Sequence, residues 1–354
     1  MQHRRKKHTF RNVILMIFLI LIVGGGAYVM HLYRNAENVV NSSFKSSGIT
    51  KQRDVSKQIS DKKPISILLL GTDTGALDRM YKGRTDSMMV ITLNPKNNKT
   101  TITSIPRDTA VSIPGYTKLA PSKINAAYSW GSSKTTIKTV QEMLNIPVDF
   151  YALINMGGMK KVINEVGGVD VTPTLTFTYV GYTFKKGVKT HMNGAKALAY
   201  SRMRYDDPNN DYGRQTRQRA VLMALVKKSG SVSTLLNQNF LNSLSSQVQT
   251  DLTFDNLVTL AKNYRHVDKT VKETHLQGTG KELGGQDMEV MSKKELQRVT
   301  NFIRKGLDLS YKDTGTAAIF SKKTLNKDNS SASSSSSSTT TSTTDYNAGV
   351  NGGY

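Results

Sequence analysis

An uncharged apolar stretch near the N-terminus constrains the fold of this chain more than any other sequence feature. The stretch runs from Val13 to Met30 and contains eighteen residues. At a helical rise of about 1.5 Å per residue it would be about 27 Å long, close to the hydrocarbon thickness of a bilayer. The sequence therefore predicts one N-terminal transmembrane helix, over residues 13–33, and a folded part that begins after it.

The charges around this stretch predict its orientation. Five Lys and Arg residues lie in the leader, residues 1–12, and only Arg34 follows the stretch closely. Because basic flanks stay in the cytoplasm, we expect a single-pass type II protein of the cell membrane whose folded part is extracellular. A cleaved signal peptide is the alternative, since Val13–Val23 has the length of its apolar region. The apolar character continues to Met30 without an Ala-x-Ala site, which favours the anchor.

Composition excludes several classes of protein. The chain has no cysteine, so a disulfide scaffold, a Cys-ligated metal and a thiol nucleophile are excluded. It also lacks the Gly-x-Ser-x-Gly, Walker and His-Glu-x-x-His motifs, which argues against a Ser/His hydrolase and a zinc enzyme. The formal charge of +23 suits nucleic acid, an anionic membrane surface or a phosphate-bearing substrate. Because the folded part is expected outside the cell, we predict no nucleic-acid partner and consider a DNA-binding regulator the weakest hypothesis.

Three segments are expected beyond the anchor. Residues 34–63 are mostly polar and are predicted to form an extracellular stalk. Residues 64–313 contain the apolar runs of a folded domain. Residues 314–354 include a long Ser/Thr tract that cannot bury apolar surface, so this tail is predicted to be disordered.

Strand and helix patterns alternate within the folded domain. Ile65–Leu70 is a short apolar run ended by Gly71, and two extended runs flank the turn Pro95–Asn98 as a hairpin. The other predicted elements are the hairpin strands Ser87–Asn94 and Lys99–Ile105, the helices Thr135–Leu144, Met159–Val166 and Arg214–Lys228, and the strand Val169–Thr172. This intermixing predicts an α/β fold in which a mixed sheet is covered by helices on both faces.

Charged residues occur where the predicted strands end. Asp73 follows the first strand, Arg84 and Asp86 precede the second, and Arg107 follows the third. Carboxylates at neighbouring strand ends can share one hard cation, and Mg²⁺ is usually held by one or two carboxylates plus phosphate oxygens. Structural roles are the alternative: Asp73 could begin a turn, Asp86 could pair with Arg84, and Arg107 could pair with Asp108.

The densest charge cluster contains five arginines and no lysine between Arg202 and Arg219. Arginine is preferred where a planar fork binds phosphate oxygens in two places. In the predicted helix, Arg214, Arg217 and Gln218 share a face near the N-terminus, where the helix dipole favours anions. A solvated charge run is the alternative, but the arginines at two strand ends favour a ligand. Together with the two aspartates, these residues describe a site for a metal-bound pyrophosphate.

At this level of detail the chain resembles the LytR-CpsA-Psr family of cell-wall glycopolymer ligases from Gram-positive bacteria. The matching motifs cover about residues 64–229 in family order: GTD at 71–73, RTDSMM at 84–89, SIPRD at 104–108, KINAAY at 123–128, VGGVDV at 166–171, LAYSRMR at 198–204 and DYGRQTRQ at 211–218. The resemblance implies an α/β/α sandwich with a central mixed sheet and a long apolar pocket for a polyprenyl chain.

The resemblance also implies an activity and its partners. Members transfer an anionic glycopolymer, such as wall teichoic acid or capsular polysaccharide, from an undecaprenyl-pyrophosphate carrier to a peptidoglycan hydroxyl, with formation of a phosphodiester. The expected partners are thus the lipid-linked polymer, peptidoglycan and the cell membrane. One alternative is a polyprenyl-pyrophosphate phosphatase that uses water as the nucleophile at the same site. A membrane-bound transcriptional attenuator is a weaker alternative.

Residue roles follow from the motif positions. Asp73 and Asp86 resemble the carboxylates that hold Mg²⁺, with Mn²⁺ as the alternative. Asp211 resembles the general base, a role for which Asp206 and Asp207 compete. The residues that resemble the pyrophosphate-binding set are Arg84, Arg107, Arg202, Arg204, Arg214, Arg217 and Gln218, of which Arg84 and Arg107 are also expected to act in catalysis. The apolar runs Val148–Met156 and Leu222–Val226 could line the lipid pocket, or belong to the ordinary core.

Overall fold

The computed structural model describes residues 33–72, 83–204, 207–229 and 238–319. The predicted leader, most of the predicted transmembrane helix and residues 320–354 of the predicted tail lie outside the described residues. Within the part of the chain that is described, no helix is long and apolar enough to cross a membrane.

Short strands and helices alternate along the chain, as the sequence pattern predicts. The strands are β1 (Ile65–Thr72), β2 (Thr85–Asn94), β3 (Lys99–Ile105), β4 (Ala110–Val111), β5 (Ser122–Lys123), β6 (Phe150–Asn155), β7 (Val169–Val171), β8 (Phe177–Tyr179), β9 (Tyr182–Phe184), β10 (Thr190–Met192), β11 (Val248–Thr250), β12 (Thr270–His275), β13 (Thr279–Leu283) and β14 (Gln286–Val290). The helices are α1 (Val55–Ser60), α2 (Ala126–Leu144), α3 (Met156–Glu165), α4 (Gly194–Arg202), α5 (Asn210–Ser229), α6 (Gln238–Ser245), α7 (Phe254–Asn263) and α8 (Lys293–Gly306). Residues 33–42 are also helical.

Six strands form the central mixed sheet, in the order β11-β6-β1-β2-β3-β12. The pairs β1–β2 and β2–β3 are antiparallel, whereas β6 runs parallel to β1 and β12 runs parallel to β3. One edge therefore collects the last residues of β1, β3, β6 and β12 and the first residue of β2. We call it the upper edge; it is marked by Thr72, Thr85, Ile105, Asn155 and His275.

Helices cover both faces of this sheet. On one face, α8 contacts β2 and β3, and α2 contacts β2 and α8. Leu296, Val299 and Ile303 recur at helical spacing in α8 and are fully buried there. On the other face, a second core cluster joins Met89 and Ile102 of the sheet to residues of α3, α4 and α5. The α/β/α sandwich expected from the sequence is confirmed. The predicted strand at 169–172 lies outside the central sheet, because β7 pairs with β10.

Residues 34–63 do not form the predicted stalk. Ala36 and Val40 of the first described helix are buried in the domain, and Ile59 of α1 is only 1% exposed. Arg53 forms a salt bridge with the buried carboxylate of Asp149. The segment is polar overall, but its few apolar side chains are spaced one helical turn apart and can pack against the domain. The buried Asp149 also requires a cation, which Arg53 supplies. Residues 34–63 therefore pack against the domain although their composition is polar.

The folded domain also extends beyond the predicted boundary at residue 313. The Ser112 N–H donates to the Ala317 carbonyl at 2.7 Å, and the Ile319 N–H donates to the Ala110 carbonyl at 3.0 Å. Ala317 and Ala318 are buried. Residues 314–319 therefore belong to the packed structure rather than to a disordered tail.

Candidate active site

The β2–β3 hairpin places Asp86 and Arg107 side by side at the upper edge. Asp86 is the second residue of β2, and Arg107 follows the end of β3 by two residues. Since Met88 pairs with Ile105, the antiparallel register carries both side chains to the same place. Arg107 Nη1 donates a hydrogen bond of 2.6 Å to Asp86 Oδ1. Two residues singled out from strand ends are thus in direct contact.

A second carboxylate and a lysine extend this contact. Asp108 lies 3.4 Å from Arg107 Nε, and Lys123 Nζ of β5 lies 3.0 Å from the other Asp108 oxygen. Burial lowers the pKa of Arg107, but the carboxylates of Asp108, Asp86 and Asp211 outweigh it and raise that pKa, so the guanidinium stays charged. Sequence reasoning missed Lys123 as a site residue, although it begins the KINAAY motif.

The first turns of α5 bring two further predicted residues to the upper edge. Arg214 Nη2 donates to the Asp86 carbonyl at 3.1 Å and lies 2.6 Å from Asp211 Oδ1. Gln215 Nε2 donates to the second oxygen of Asp211 at 2.9 Å. The pKa of Arg214 is lowered, mainly by burial. The negative charge of Asp211 raises this pKa in part, whereas the positive charges of Arg204 and Arg107 lower it further. Three like charges therefore converge where an anion would relieve their repulsion.

Several buried polar atoms around this convergence have no hydrogen-bond partner among the described residues. A buried, unsatisfied polar group costs about 1–3 kcal/mol, so such groups are rare unless a ligand or water completes them. In this part of the chain they are Thr85 Oγ1, Arg107 Nε, Asn125 Oδ1, Gln215 Oε1 and Gln218 Oε1, with Thr103 Oγ1 further along β3. The Asn125 N–H donates to the Arg107 carbonyl at 3.1 Å, which places Asn125 in the same group. These atoms can hydrogen-bond to a ligand at the upper edge, Arg107 Nε as a donor and the amide oxygens as acceptors.

Three other predicted arginines lie at the margin of the site. Arg84 is exposed and lines a cavity of about 190 Å³ together with Lys123, Trp130 and Gln286. Arg204 is exposed and close enough to lower the pKa of Arg214. Arg202 ends α4 and is half-buried. Asp73, the predicted metal ligand, and Asp206, an alternative base, lie outside the described residues.

The structure does not bring Arg217 into this group. Its side chain is fully buried, Nε donates to the Tyr200 carbonyl at 3.1 Å, and Nη2 donates to the Met203 carbonyl. Nη1 forms a salt bridge with Asp207, which is itself buried. Because every nitrogen of the guanidinium is bonded to the protein, Arg217 ties α5 to the end of α4 rather than facing a ligand. The same pair removes Asp207 from consideration as a base.

The fold and these contacts define an α/β protein with an arginine-rich site suited to a phosphorylated ligand. Comparison with known proteins shows to which family this α/β protein belongs. The model of the LytR_cpsA_psr family matches residues 28–305. The chain belongs to the LytR-CpsA-Psr family.

Similar proteins cover nearly the whole domain. A relative from Enterococcus faecalis, named polyisoprenyl-teichoic acid–peptidoglycan teichoic acid transferase TagU, is 40% identical over 298 residues, which are 84% of this chain and 95% of the relative. The crystal structure of a Streptococcus agalactiae protein has a TM-score of 0.68 and 35% identity, and covers 78% of this chain and 98% of that one. A structure described as TagT bound to LIIa-WTA has a TM-score of 0.61 and 29% identity, with 74% of this chain and 98% of that one covered.

Proposed function

We propose that this protein transfers an anionic glycopolymer, such as wall teichoic acid, from an undecaprenyl-pyrophosphate carrier to a hydroxyl of peptidoglycan, with formation of a phosphodiester. The observation that carries the proposal is the convergence of Arg107, Arg214 and unpaired buried polar atoms on one edge of the sheet. The relative named as a teichoic acid transferase supports the choice of polymer and acceptor.

The chemistry suits these residues. Transfer of a phosphoryl group requires little covalent help from the protein; it requires that the charge on the transferring phosphate be neutralised and the nucleophile be aligned. Arg107 and Arg214 are held in place by Asp86 and Asp211, so they can face the pyrophosphate without reorganising. Arg84 and Arg204 at the margin would bind the outer phosphate oxygens, because both are exposed.

A divalent cation, Mg²⁺ or Mn²⁺, is part of the proposal. Asp86 and Asp73 would hold it together with oxygens of the pyrophosphate, and the ion would supply further charge neutralisation. The described residues contain no group of three or more metal-ligating side chains. One or two carboxylates suffice for Mg²⁺ when phosphate oxygens complete its shell, and Asp86 lies at the upper edge beside the arginines expected to bind the pyrophosphate. The residues present therefore fit the ion.

A partly open apolar surface is suited to the polyprenyl chain. Leu69, Ile91 and Ile154 lie on central strands and face the α3–α5 layer, yet they are only half-buried. Met223 and Leu225 of α5 are half-buried beside the same cluster. Apolar side chains left accessible in the middle of a sheet are typical of a lipid-binding crevice. Of the two runs considered in the sequence, Ile154 and 223–225 contribute here, whereas Phe150 and Leu153 are buried in the core.

The proposed location is the cell membrane, with a single pass of type II and an extracellular catalytic domain. It is supported by the basic leader and the apolar stretch Val13–Met30. The described chain is helical from residue 33, the last residue of the predicted anchor. The lipid carrier and peptidoglycan would both be accessible to a domain held there.

One reconstitution tests the function. The full chain in detergent is mixed with a polyprenyl-pyrophosphate-linked glycan and peptidoglycan strands, and the products are identified by mass spectrometry. We expect a glycan joined to peptidoglycan by a phosphodiester, together with polyprenyl phosphate. Arg107→Ala should lower kcat by about 10²–10³-fold, the cost of removing one donor aimed at developing charge. Arg265, an exposed arginine without a salt bridge among the described residues, provides the matched control, and Arg265→Ala should retain the wild-type rate.

Two results would contradict the proposal. Release of free phosphorylated glycan without an adduct would identify a pyrophosphatase that uses water as the nucleophile. Wild-type transfer by Arg107→Ala would show that the upper edge is not the reacting site.

A further inference from the structure

The contacts of Asp211 are those of a residue that orients cations. Its Oδ1 accepts from Arg214 Nε at 2.9 Å and lies 2.6 Å from Arg214 Nη2, while its Oδ2 accepts from Gln215 at 2.9 Å. Burial would raise the pKa of Asp211, but Arg214, Gln215 and Arg107 outweigh it and lower that pKa. A carboxylate with both oxygens engaged and a lowered pKa is a weak acceptor for the proton of an attacking hydroxyl.

A different carboxylate, that of Glu289, reaches the same edge from β14. The Glu289 N–H donates to the Asp108 carbonyl at 2.8 Å, and Glu289 forms an isolated parallel bridge with Thr109. The strand is therefore fixed beside the residues that follow Arg107. The Glu289 side chain is half-buried and extends toward the start of α5, where Tyr212 donates to Oε2 at 3.3 Å. Within the described chain, Oε1 has no hydrogen-bond donor and is available to a substrate.

Tyr212 positions this carboxylate. Its hydroxyl accepts from the Gly278 N–H at 3.1 Å and so directs its own proton to Glu289. Burial is the main reason that the pKa of Tyr212 is raised, to about 12, which keeps the phenol a donor over the working range. A Cβ at Gly278 would lie 2.9 Å from Glu289 Oε2, so the absence of a side chain there makes room for the carboxylate.

We propose that Glu289 is the general base of the transfer reaction and that Tyr212 is its positioning residue. The inference rests on the proposed function. The acceptor hydroxyl oxygen forms a bond to the phosphorus that carries the glycan, and its proton passes to Glu289. The bond from that phosphorus to the bridging oxygen breaks, and polyprenyl phosphate leaves with the electron pair. Asp211 then serves to hold Arg214 against the charge of the reacting phosphate.

The surroundings of Glu289 suit this role. Burial raises its pKa; the hydrogen bond from Tyr212 opposes this, and the negative charges of Asp108 and Asp211 raise it further. These groups come from the segment after β3 and from the first turn of α5. A base is most effective when its pKa approaches the operating pH, and on this criterion Glu289 is better suited than Asp211. Asp108 and Asp211 are both far from Glu289 in the sequence, so motif spacing did not reveal that these three carboxylates lie near one another.

The test compares Glu289→Gln with Asp211→Asn and Glu282→Gln in the full chain, using the reconstituted transfer of a polyprenyl-pyrophosphate-linked glycan to peptidoglycan. Glu289→Gln should lower kcat by about 10²–10⁴-fold, the usual contribution of a general base, with an unchanged KM for the lipid donor. It should also remove the acidic limb of the kcat–pH profile. Asp211→Asn should keep that limb and raise the donor KM. Glu282 is exposed on the neighbouring strand β13, and Glu282→Gln should match the wild type.

A second variant keeps the inference falsifiable if Glu289→Gln fails to fold. Tyr212→Phe removes the hydrogen bond that stabilises the charged carboxylate, so the acidic limb should move to higher pH. Adduct formation by the wild type together with an unchanged pH limb in Tyr212→Phe, and in Glu289→Gln where that variant folds, would overturn this inference and leave the proposed function intact. A wild-type chain that forms no adduct would overturn the proposed function, and the inference with it.

Discussion

Two arginines of helix α5, less than one turn apart, serve different purposes. Arg214 contacts Asp86 and Asp211 beside other cations, and Gln218 one turn later has a buried oxygen without a partner among the described residues. Arg217 is instead bonded to Asp207 and to the Tyr200 and Met203 carbonyls. Arg214 thus lies at the upper edge of the sheet, whereas every nitrogen of Arg217 is bonded to the protein. The partners of an arginine, rather than its presence, therefore separate binding from structural roles.

The largest effect that this comparison predicts is on stability. Arg217→Ala should lower the free energy of unfolding by about 3–5 kcal/mol, because it leaves the buried Asp207 carboxylate without its partner. It also leaves the Tyr200 and Met203 carbonyls without a donor. Denaturant unfolding of the full chain measures the change. A loss below about 1 kcal/mol would break the comparison, since Arg217 would then not hold the fold.

Arg214→Ala should lower activity strongly and stability only slightly, the opposite of what a structural residue would show. We expect kcat for glycan transfer to fall by about 10²–10³-fold, because a cation that faces the reacting phosphate is lost. The free energy of unfolding should fall by less than in Arg217→Ala, since Arg214 has the repelling cations Arg107 and Arg204 as neighbours and its removal relieves them. Both quantities are measured on the same preparation. Equal losses of stability in the two variants would contradict the distinction between Arg214 and Arg217.

The sequence predicted the sheet, the hairpin and one half of the site because those features are local. The register of a short hairpin places Asp86 next to Arg107, and the period of a helix places Asp211 next to Arg214. Each contact follows from spacing along a single element. The family motifs then indicated the chemistry that such a group performs.

The features that sequence reasoning missed depend on partners far along the chain or on packing. Helical spacing correctly places Arg214 and Gln218 near each other, but it cannot show that α4 packs beside Arg217 and supplies two carbonyls. Glu289 lies in no recognised motif and meets Tyr212 across 77 residues of sequence. Composition likewise predicted a stalk for residues 34–63, where a few buried side chains decide the outcome.

The smallest expected effect is that of a substitution at Gln218, which should raise the free energy of unfolding rather than lower it. Its Oε1 is buried without a partner among the described residues, and Gln218 is only 3% exposed. Gln218→Met has a similar shape and removes the unsatisfied group, so the free energy of unfolding without substrate should rise by about 1 kcal/mol. Affinity for the polyprenyl-pyrophosphate donor should fall by about tenfold, because methionine lacks the Nε2 amide group with which Gln218 can donate a hydrogen bond to a charged phosphate oxygen.

The sign of this change distinguishes a ligand-binding residue from a structural one. If Gln218 were a structural residue like Arg217, the methionine would destabilise the protein, as Arg217→Ala is expected to do. Denaturant unfolding with and without the lipid donor separates the two possibilities, since a bound donor should stabilise the wild type more than the variant. A methionine variant that is less stable than the wild type under both conditions would place Gln218 with Arg217. A methionine variant that is more stable than the wild type without the lipid donor, and less stable with it, would show that Gln218 binds the ligand.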